Sequence, residues 1–157
     1  MNKIATFIDV QNVYYTTRQA FHKQFNYRAL WQLISSHGEI MLANAYAIES
    51  HDLKQRSFQQ TLRKIGFSTI LKPYIQRRDG TAKADWDVGI ALDIYETAPN
   101  VDEIILVSGD GDFDILLDRI KERFAIKSTV ISVKQLTSKN LINAATSHID
   151  IKNDLLM

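Results

Sequence analysis

The chain has 157 residues and a formal net charge of +1; 45% of its residues are hydrophobic and 24% are charged. This composition excludes a disordered or fibrous chain and predicts one domain over residues 1–157 with a sizeable core. The chain contains no cysteine, which excludes disulfides, zinc fingers and thiol catalysis. Because the total charge is nearly neutral, any attraction for a polyanion has to come from a local patch.

The apolar segment near the start of the chain is too short for a signal peptide or a membrane span. It runs from Ile4 to Ile8 and is stopped by Asp9. We therefore expect a cytoplasmic protein that does not bind a membrane.

The first half of the chain alternates strand and helix patterns. A buried strand is predicted from Ile4 to Asp9, followed by a helix from Asn12 to about His22. Helical spacing favours placing Tyr14 or Tyr15, both on that helix, in the core. The next elements are predicted to be a helix (Tyr27 to Ser36), a strand (Ile40 to Ile48), a helix (Ser50 to Ile65) and a strand (Phe67 to Leu71).

The segment from Ile75 to Lys83 has the composition of a loop. It contains the turn sequence Asp79-Gly80 and a cluster of cations, which are Arg77, Arg78 and Lys83. We predict a mobile basic loop. A solvated loop with no ligand is the alternative that the sequence leaves open.

The second half continues the alternation. A helix is predicted from Asp85 to Thr97, with Val88, Ala91, Leu92 and Tyr95 as the apolar stripe that faces the core. The remaining elements are predicted to be a strand (Ile104 to Val107), a helix (Phe113 to Phe124), a strand (Thr129 to Val133), a helix (Ser138 to Thr146) and a strand (Ile149 to Ile151). This alternation predicts an α/β fold, a three-layer sandwich with a mainly parallel central sheet.

An acidic turn, Ser108 to Asp112, joins a buried strand to a helix. Helix capping by Asp112 explains one carboxylate of this turn, but a single cap does not require the others. A calcium-binding EF-hand loop is excluded, because its sixth position would be Ile115 instead of Gly and its twelfth Lys121 instead of Glu.

Carboxylates end two of the predicted strands, Asp9 after the first and Asp110 after the later one. If these strands are neighbours, Asp9, Asp110 and Asp112 face one crevice at the carboxyl ends of the sheet, close to Asp87. Carboxylates in one crevice repel each other unless a cation neutralises them, and Mg²⁺ or Mn²⁺ prefers such oxygen ligands. A metal site and a set of independent helix caps both remain open at this point.

Three segments resemble the signature blocks of the NYN domain in its bacterial LabA-like branch, a relative of PIN-domain ribonucleases. They are FIDVQN (Phe7 to Asn12), KADWDVGIALD (Lys83 to Asp93) and SGDGDF (Ser108 to Phe113). The resemblance covers nearly the whole chain and implies a PIN-like Rossmannoid α/β/α sandwich. It also implies catalytic, metal-binding carboxylates at Asp9, Asp87, Asp110 and Asp112, with Mg²⁺ or Mn²⁺ as cofactor. Asn12, Ser108 and Asp93 match as supporting residues.

The chain departs from the family pattern at Val10, where a small residue is usual, and at Thr146, which replaces a common acidic residue. We expect a structural role for Thr146.

The resemblance implies an endoribonuclease that hydrolyses RNA with a metal-activated water. The four histidines are scattered and none belongs to a matching block, so no side-chain base is predicted. A non-catalytic RNA-binding or regulatory NYN module with a weak metal site is the alternative. A phosphatase with Asp9 as nucleophile ranks last, because Gln11 occupies the second place of the D-x-D pattern. RNA is the expected partner: its phosphates would contact Arg77, Arg78 and Lys83, and its bases could stack on Tyr14 or Tyr15. A homodimer is left open.

Overall fold

A computed structural model describes residues 1–49, 51–72, 75–76, 82–83 and 85–157 of the chain. Its middle layer is a six-stranded parallel sheet with the strand order β3-β2-β1-β6-β7-β8, and β4 and β5 form a separate antiparallel pair. The strands are β1 (Lys3–Asp9), β2 (Glu39–Ile48), β3 (Ser68–Lys72), β4 (Ile75–Gln76), β5 (Ala82–Lys83), β6 (Glu103–Val107), β7 (Lys127–Ser132) and β8 (Ser147–Asp150).

Helices cover both faces of the sheet. Within the described ranges they are α1 (Val10–Phe21), α2 (Tyr27–His37), α3 (Leu53–Ile65), α4 (Asp87–Thr97), α5 (Asp114–Phe124) and α6 (Lys139–Ala144). One core cluster contains residues of α1, α2 and α3, and the other contains residues of α4, α5 and α6. The predicted three-layer α/β/α sandwich is confirmed, and most predicted element bounds are correct to within a few residues. No helix in this part of the chain is long and apolar enough to cross a bilayer.

The two central strands, β1 and β6, are apolar because both of their faces are covered. Ile8 of β1 packs in the first core cluster and Phe7 in the second, as the alternation of side chains along a strand requires. The strands are adjacent and parallel, with Ile8 beside Val107. Their carboxyl ends therefore meet at one edge of the sheet, which is the arrangement required to bring Asp9 and Asp110 into one crevice.

The prediction that Val88, Leu92 and Tyr95 of α4 face the core is wrong. These side chains are 72%, 60% and 37% exposed, whereas Ile90 and Ile94 are completely buried. The helix carries apolar residues on most of its circumference, so their spacing does not define one stripe. Tertiary packing of the two isoleucines selected the buried face.

Two further predictions need correction. The segment from Ile75 to Lys83 is not entirely a loop, because β4 and β5 pair within it. Arg77 and Arg78 lie outside the described residues, and Lys83 is described only by its backbone. The expectation that Tyr14 or Tyr15 enters the core is also wrong, since they are 47% and 60% exposed.

Candidate metal centre

Hydrogen bonds connect the loops that follow β1 and β6. The Ser108 hydroxyl lies 3.5 Å from Asp9 Oδ2, and the backbone N–H of Gly109 donates to Asn12 Oδ1 at 3.0 Å. The N–H of Asp110 donates to Ser108 Oγ at 3.2 Å. These bonds hold the two acidic strand ends in a fixed relative position. They also bring Asn12 and Ser108 next to the acidic strand ends, and the supporting roles of these two residues stay predictions.

Asp9 is 9% exposed and is the N-cap of α1, where its Oδ1 accepts the backbone N–H of Asn12 at 3.3 Å. The capping alternative is therefore correct for this residue. Burial raises the pKa of Asp9 to about 6. The hydrogen bonds from Asn12 and Ser108 oppose this increase, and the charges of Asp110 and Asp85 add to it. A simple cap does not need this buried, acid-rich surrounding.

Asp87, Asp110 and Asp112 come together at the start of α4 and the end of β6. One carboxylate oxygen from each lies within 4.8 Å of the others, with Asp87 and Asp110 partly buried and Asp112 exposed. Oxygen ligands about 2.1 Å from one Mg²⁺ are at most about 4.2 Å apart, so small side-chain movements bring these oxygens into range. Asp9 is outside this set of oxygens and lies near enough to Asp110 to interact with its charge.

The pKa of Asp87 is raised to about 7. Burial is the largest cause, followed by a hydrogen bond with the Asp110 side chain and by the negative charges of Asp110, Asp9 and Asp85. Near neutral pH, Asp87 is therefore protonated in about half of the molecules, and this proton relieves repulsion within the cluster. A bound divalent cation would take over this role, so the donor set fits Mg²⁺ or Mn²⁺.

A 3₁₀ turn, Gly111–Phe113, positions two of the carboxylates. Asp110 caps this turn, because its Oδ1 accepts the N–H of Asp112 at 3.0 Å. The prediction that Asp112 is the N-cap is wrong, since the extra turn moves the start of α5 and Phe113 occupies the cap position without a side-chain bond. A Cβ at position 111 would lie 2.8 Å from Ser138 Cβ, so the close packing requires glycine.

Asp85 belongs to the candidate site, but the sequence analysis did not select it. Its charge contributes to the raised pKa values of both Asp9 and Asp87, and its Oδ1 accepts the N–H of Asp87 at 3.2 Å. The sequence signal was its position two residues before Asp87 in the second family block. In the sequence Asp85 could not be distinguished from an ordinary acidic residue in the first turn of a helix, because its closeness to Asp9 depends on the order of the strands in the sheet.

Strands β3 and β2 hold the segment before α4 in place. Lys72, the last residue of β3, donates from Nζ to the Asp85 carbonyl at 2.8 Å and lies 5.0 Å from the centre of the Trp86 ring. Trp86 donates from Nε1 to the carbonyl of Ala47 in β2 at 2.8 Å. These contacts fix the start of α4, and with it Asp87, against the sheet.

Two other family positions lie away from the three clustered carboxylates. Asp93 accepts a hydrogen bond from the Tyr46 hydroxyl at 2.6 Å, which supports the contact of α4 with β2. Thr146 Oγ1 accepts the N–H of Ser128 at 3.0 Å and its own N–H donates to the Ser128 carbonyl at 2.9 Å. This places Thr146 at the amino ends of β7 and β8, the opposite edge of the sheet from Asp9.

Comparisons with known proteins identify the fold and family. A sequence profile described as "NYN domain" matches residues 3–152. The chain is 30% identical over 162 residues to the "Low amplitude and bright protein LabA" of Synechococcus elongatus, covering 98% of this chain and 86% of that protein. It is also similar to the crystal structure of VPA0982, a protein of unknown function from Vibrio parahaemolyticus. That match has a TM-score of 0.95 and 53% identity, and covers 99% of this chain and 96% of the other. The predicted resemblance is therefore confirmed, and the chain belongs to the NYN domain family.

Proposed function

We propose that this protein is a metal-dependent endoribonuclease that hydrolyses RNA phosphodiester bonds with a metal-activated water. The observation that carries the proposal is the convergence of the carboxylates of Asp87, Asp110 and Asp112 beside the buried Asp9. NYN domains are ribonuclease-type domains, and an acidic cluster at the carboxyl ends of parallel strands is where α/β proteins bind ligands.

The carboxylates have separate tasks in this proposal. Asp87, Asp110 and Asp112 would hold Mg²⁺ or Mn²⁺, and Asp87 would release its proton when the ion binds. Asp9 adds negative charge from a fixed position, because it accepts hydrogen bonds from Asn12 and, at 3.5 Å, from Ser108. When bound, the ion lowers the pKa of a water ligand and neutralises charge on the phosphate.

RNA has to approach an acidic centre, so cations elsewhere must attract its backbone. Arg77, Arg78 and Lys83 remain the predicted phosphate contacts. Helix α3 is a further basic surface, since it carries Lys54, Arg56, Arg63 and Lys64 and no acidic residue. It borders a cavity of about 230 Å³ at the ends of β2 and β3.

Two exposed tyrosines near the candidate centre favour single-stranded RNA. Tyr14 and Tyr15 lie on α1, which begins next to Asp9, and their rings are in edge-to-face contact at 5.4 Å. Arg18 holds the first of them by donating to its hydroxyl at 2.9 Å. Exposed rings held in place provide surfaces on which unpaired bases stack.

The proposal is tested by incubating the purified protein with single-stranded and structured RNA in Mn²⁺, in Mg²⁺ or in excess chelator. Cleavage that needs a divalent ion and is lost in Asp110→Asn supports it. Tight RNA binding without turnover in either ion would instead identify a non-catalytic RNA-binding or regulatory module.

A further inference from the structure

A cavity of about 460 Å³ lies between the end of α1 and the segments that follow β7 and β8. Its lining includes Phe21, the last residue of α1, and the buried Val133 and Ile151, which come directly after the two strands. Two exposed lysines, Lys134 and Lys152, also line it. We refer to this space as the Phe21 cavity. It combines apolar surface and an aromatic ring with two cations.

The polar groups of the lining match the parts of a nucleotide. Gln135 and Asp150 complete the lining, and Asp150 Oδ1 accepts the backbone N–H of Lys134 at 2.9 Å. Carboxylate and amide oxygens can accept hydrogen bonds from a base, lysines pair with phosphates, and an aromatic ring provides a surface for stacking. Because Asp150 would repel a bare phosphate ion, the lining fits a nucleotide better than an inorganic anion. The volume is in the range of cavities that bind small organic molecules.

The Phe21 cavity and the acidic centre lie along the same edge of the sheet. Asp9 ends β1, Asp110 follows β6, and the strands β1, β6, β7 and β8 are parallel neighbours in this order. Since β7 and β8 are the second and third strands from β1, and neighbouring strands are about 4.8 Å apart, the cavity lies about 10–14 Å from Asp9. A few nucleotides of an extended RNA strand cover this distance.

One side of α1 connects the acidic centre with the cavity. The helix begins at its N-cap Asp9 and ends at Phe21. Tyr14, Arg18 and Phe21 are separated by four and three residues, so they share one side of the helix. Tyr14 is 47% exposed, and Arg18 lies with its guanidinium 5.5 Å from the centre of the tyrosine ring. A stacking surface and a cation therefore lie between the two sites.

The segment after β7 gives a second connection. It begins with Lys134 and Gln135 at the cavity, and four residues after Lys134 the backbone N–H of Ser138 donates to the Gly109 carbonyl at 3.5 Å. Gly109 opens the acidic turn that carries Asp110. The cavity is thus held in a fixed position relative to the carboxylates on two sides.

We propose that the Phe21 cavity binds one nucleotide of the RNA strand, a few positions away from the bond that is cleaved. The base stacks on Phe21, and the adjoining phosphates pair with Lys134 and Lys152. This inference rests on the proposed function, because it assigns a binding site to the same RNA strand.

RNA binding in excess chelator tests the two lysines without cleavage. The probe is a fluorescent single-stranded RNA of about 12 nucleotides, a length within the site sizes of single-strand-binding folds. Lys134→Gln/Lys152→Gln should lower the slope of log K against log salt by about 1.4, since each phosphate contact contributes about 0.7. Lys3→Gln/Lys127→Gln is the matched control, because it removes the same charge from exposed lysines at the amino ends of β1 and β7. Equal slopes for the two double variants would overturn the proposal.

Two substitutions of Phe21 separate stacking from packing. Phe21 is partly buried against the core, so leucine keeps the apolar contact and tyrosine also keeps the ring. Phe21→Leu should weaken binding of the same RNA about tenfold, as expected when stacking of one base is lost, whereas Phe21→Tyr should bind as wild type. Circular dichroism confirms that both variants are folded. Equal affinities of the two variants would contradict stacking on this ring.

Cleavage in Mn²⁺ is measured separately, so that this site and the nuclease can fail independently. RNA binding that depends on Phe21 and the two lysines, without cleavage in either ion, would support the cavity and contradict the nuclease. Cleavage by a protein whose cavity variants all bind RNA as wild type does would support the nuclease and overturn the cavity as a nucleotide site.

Discussion

The carboxylates of Asp87, at the start of α4, and of Asp110, after the end of β6, each bring an oxygen within 4.8 Å of the other, and this closeness helps to raise the pKa of Asp87. Two carboxylates this close repel each other unless one of them is protonated or a cation neutralises them. A proton or a bound cation at this pair therefore relieves the same repulsion.

Replacing Asp110 by asparagine should reduce RNA cleavage by about a hundredfold or more, as expected when several kcal/mol of charge stabilisation are lost. The metal-free variant should be at least as stable as wild type, since a repulsive charge is removed and an amide oxygen can still cap the 3₁₀ turn through the N–H of Asp112. Cleavage assays and chemical denaturation in chelator measure the two effects. Asp118→Asn on the exposed side of α5 is the control. Retained cleavage would remove Asp110 from the centre, and marked unfolding would indicate a structural role.

The stability of the metal-free protein should fall as pH rises from about 4 to about 7. In the folded protein the pKa of Asp9 is about 6 and that of Asp87 about 7, whereas the pKa of aspartate in an unfolded chain is about 4. In this window the folded state binds more protons than the unfolded state, so the free energy of unfolding decreases with pH. Asp9 contributes on the order of 3 kcal/mol, and the more exposed Asp87 less.

Denaturation in chelator at about pH 5 and about pH 7.5 measures this effect. Asp9→Asn should flatten the difference between the two conditions, and Mn²⁺ should stabilise wild type at the higher pH. His148 works in the opposite direction, because burial lowers its pKa. The comparison of wild type with Asp9→Asn removes that contribution. A wild type and variant with the same pH dependence would contradict the raised pKa of Asp9.

The central strands and their acidic ends could be predicted from sequence because each depends on a local pattern. The apolar run that ends at Val107 indicates a strand covered on both faces, and the glycines around Asp110 indicate a turn. Asp9 and Asp110 come together because β1 and β6 are neighbours in the sheet. From the sequence, this neighbourhood could only be assumed as a condition.

The exposed face of α4 and the role of Asp85 could not be predicted from sequence. An apolar helix offers several possible core faces, and only packing of Ile90 and Ile94 against the sheet decides between them. Asp85 became part of the site through Lys72 and Trp86, which hold its segment against strands far away in sequence. Both features depend on tertiary contacts with no local signature.

Replacing Gly111 by alanine should impair cleavage more than it impairs folding. The new Cβ would lie 2.8 Å from Ser138 Cβ and 2.9 Å from its Oγ, which forces the turn that carries Asp110 and Asp112 to move. Such overpacking costs about 1–3 kcal/mol of stability. The second change Ser138→Gly removes the clashing side chain and should restore cleavage. A double variant that is no more active than Gly111→Ala would show that the clash is not the cause.

Replacing Arg77, Arg78 and Lys83 by alanine should weaken RNA binding and make it less dependent on salt. If each cation contacts one phosphate of single-stranded RNA, the slope of log K against log salt should fall by about 2, since each contact contributes about 0.7. Titration of labelled RNA at several salt concentrations measures it. The comparison variant Lys54→Ala/Lys64→Ala tests α3 in the same way. A change of slope only in the α3 variant would move the proposed phosphate contacts from Arg77, Arg78 and Lys83 to that helix.

The chemical ends of the RNA products distinguish a metal-activated water from attack by the RNA 2′-hydroxyl. The second route commonly needs a side-chain acid and base and leaves cyclic phosphates. His37 lies 3.3 Å from Glu103, at the amino end of β6, and His148 pairs with Ser132 at 2.8 Å, and neither ring belongs to the group formed by Asp87, Asp110 and Asp112. We expect 5′-phosphate and 3′-hydroxyl ends, a strict requirement for Mn²⁺ or Mg²⁺, and slow cleavage of single-stranded DNA. Mass spectrometry of the fragments identifies the ends, with RNA carrying a single 2′-deoxynucleotide at the cut as control. Cleavage that continues in excess chelator and gives 2′,3′-cyclic phosphate would exclude the metal-activated water while leaving the family assignment unchanged.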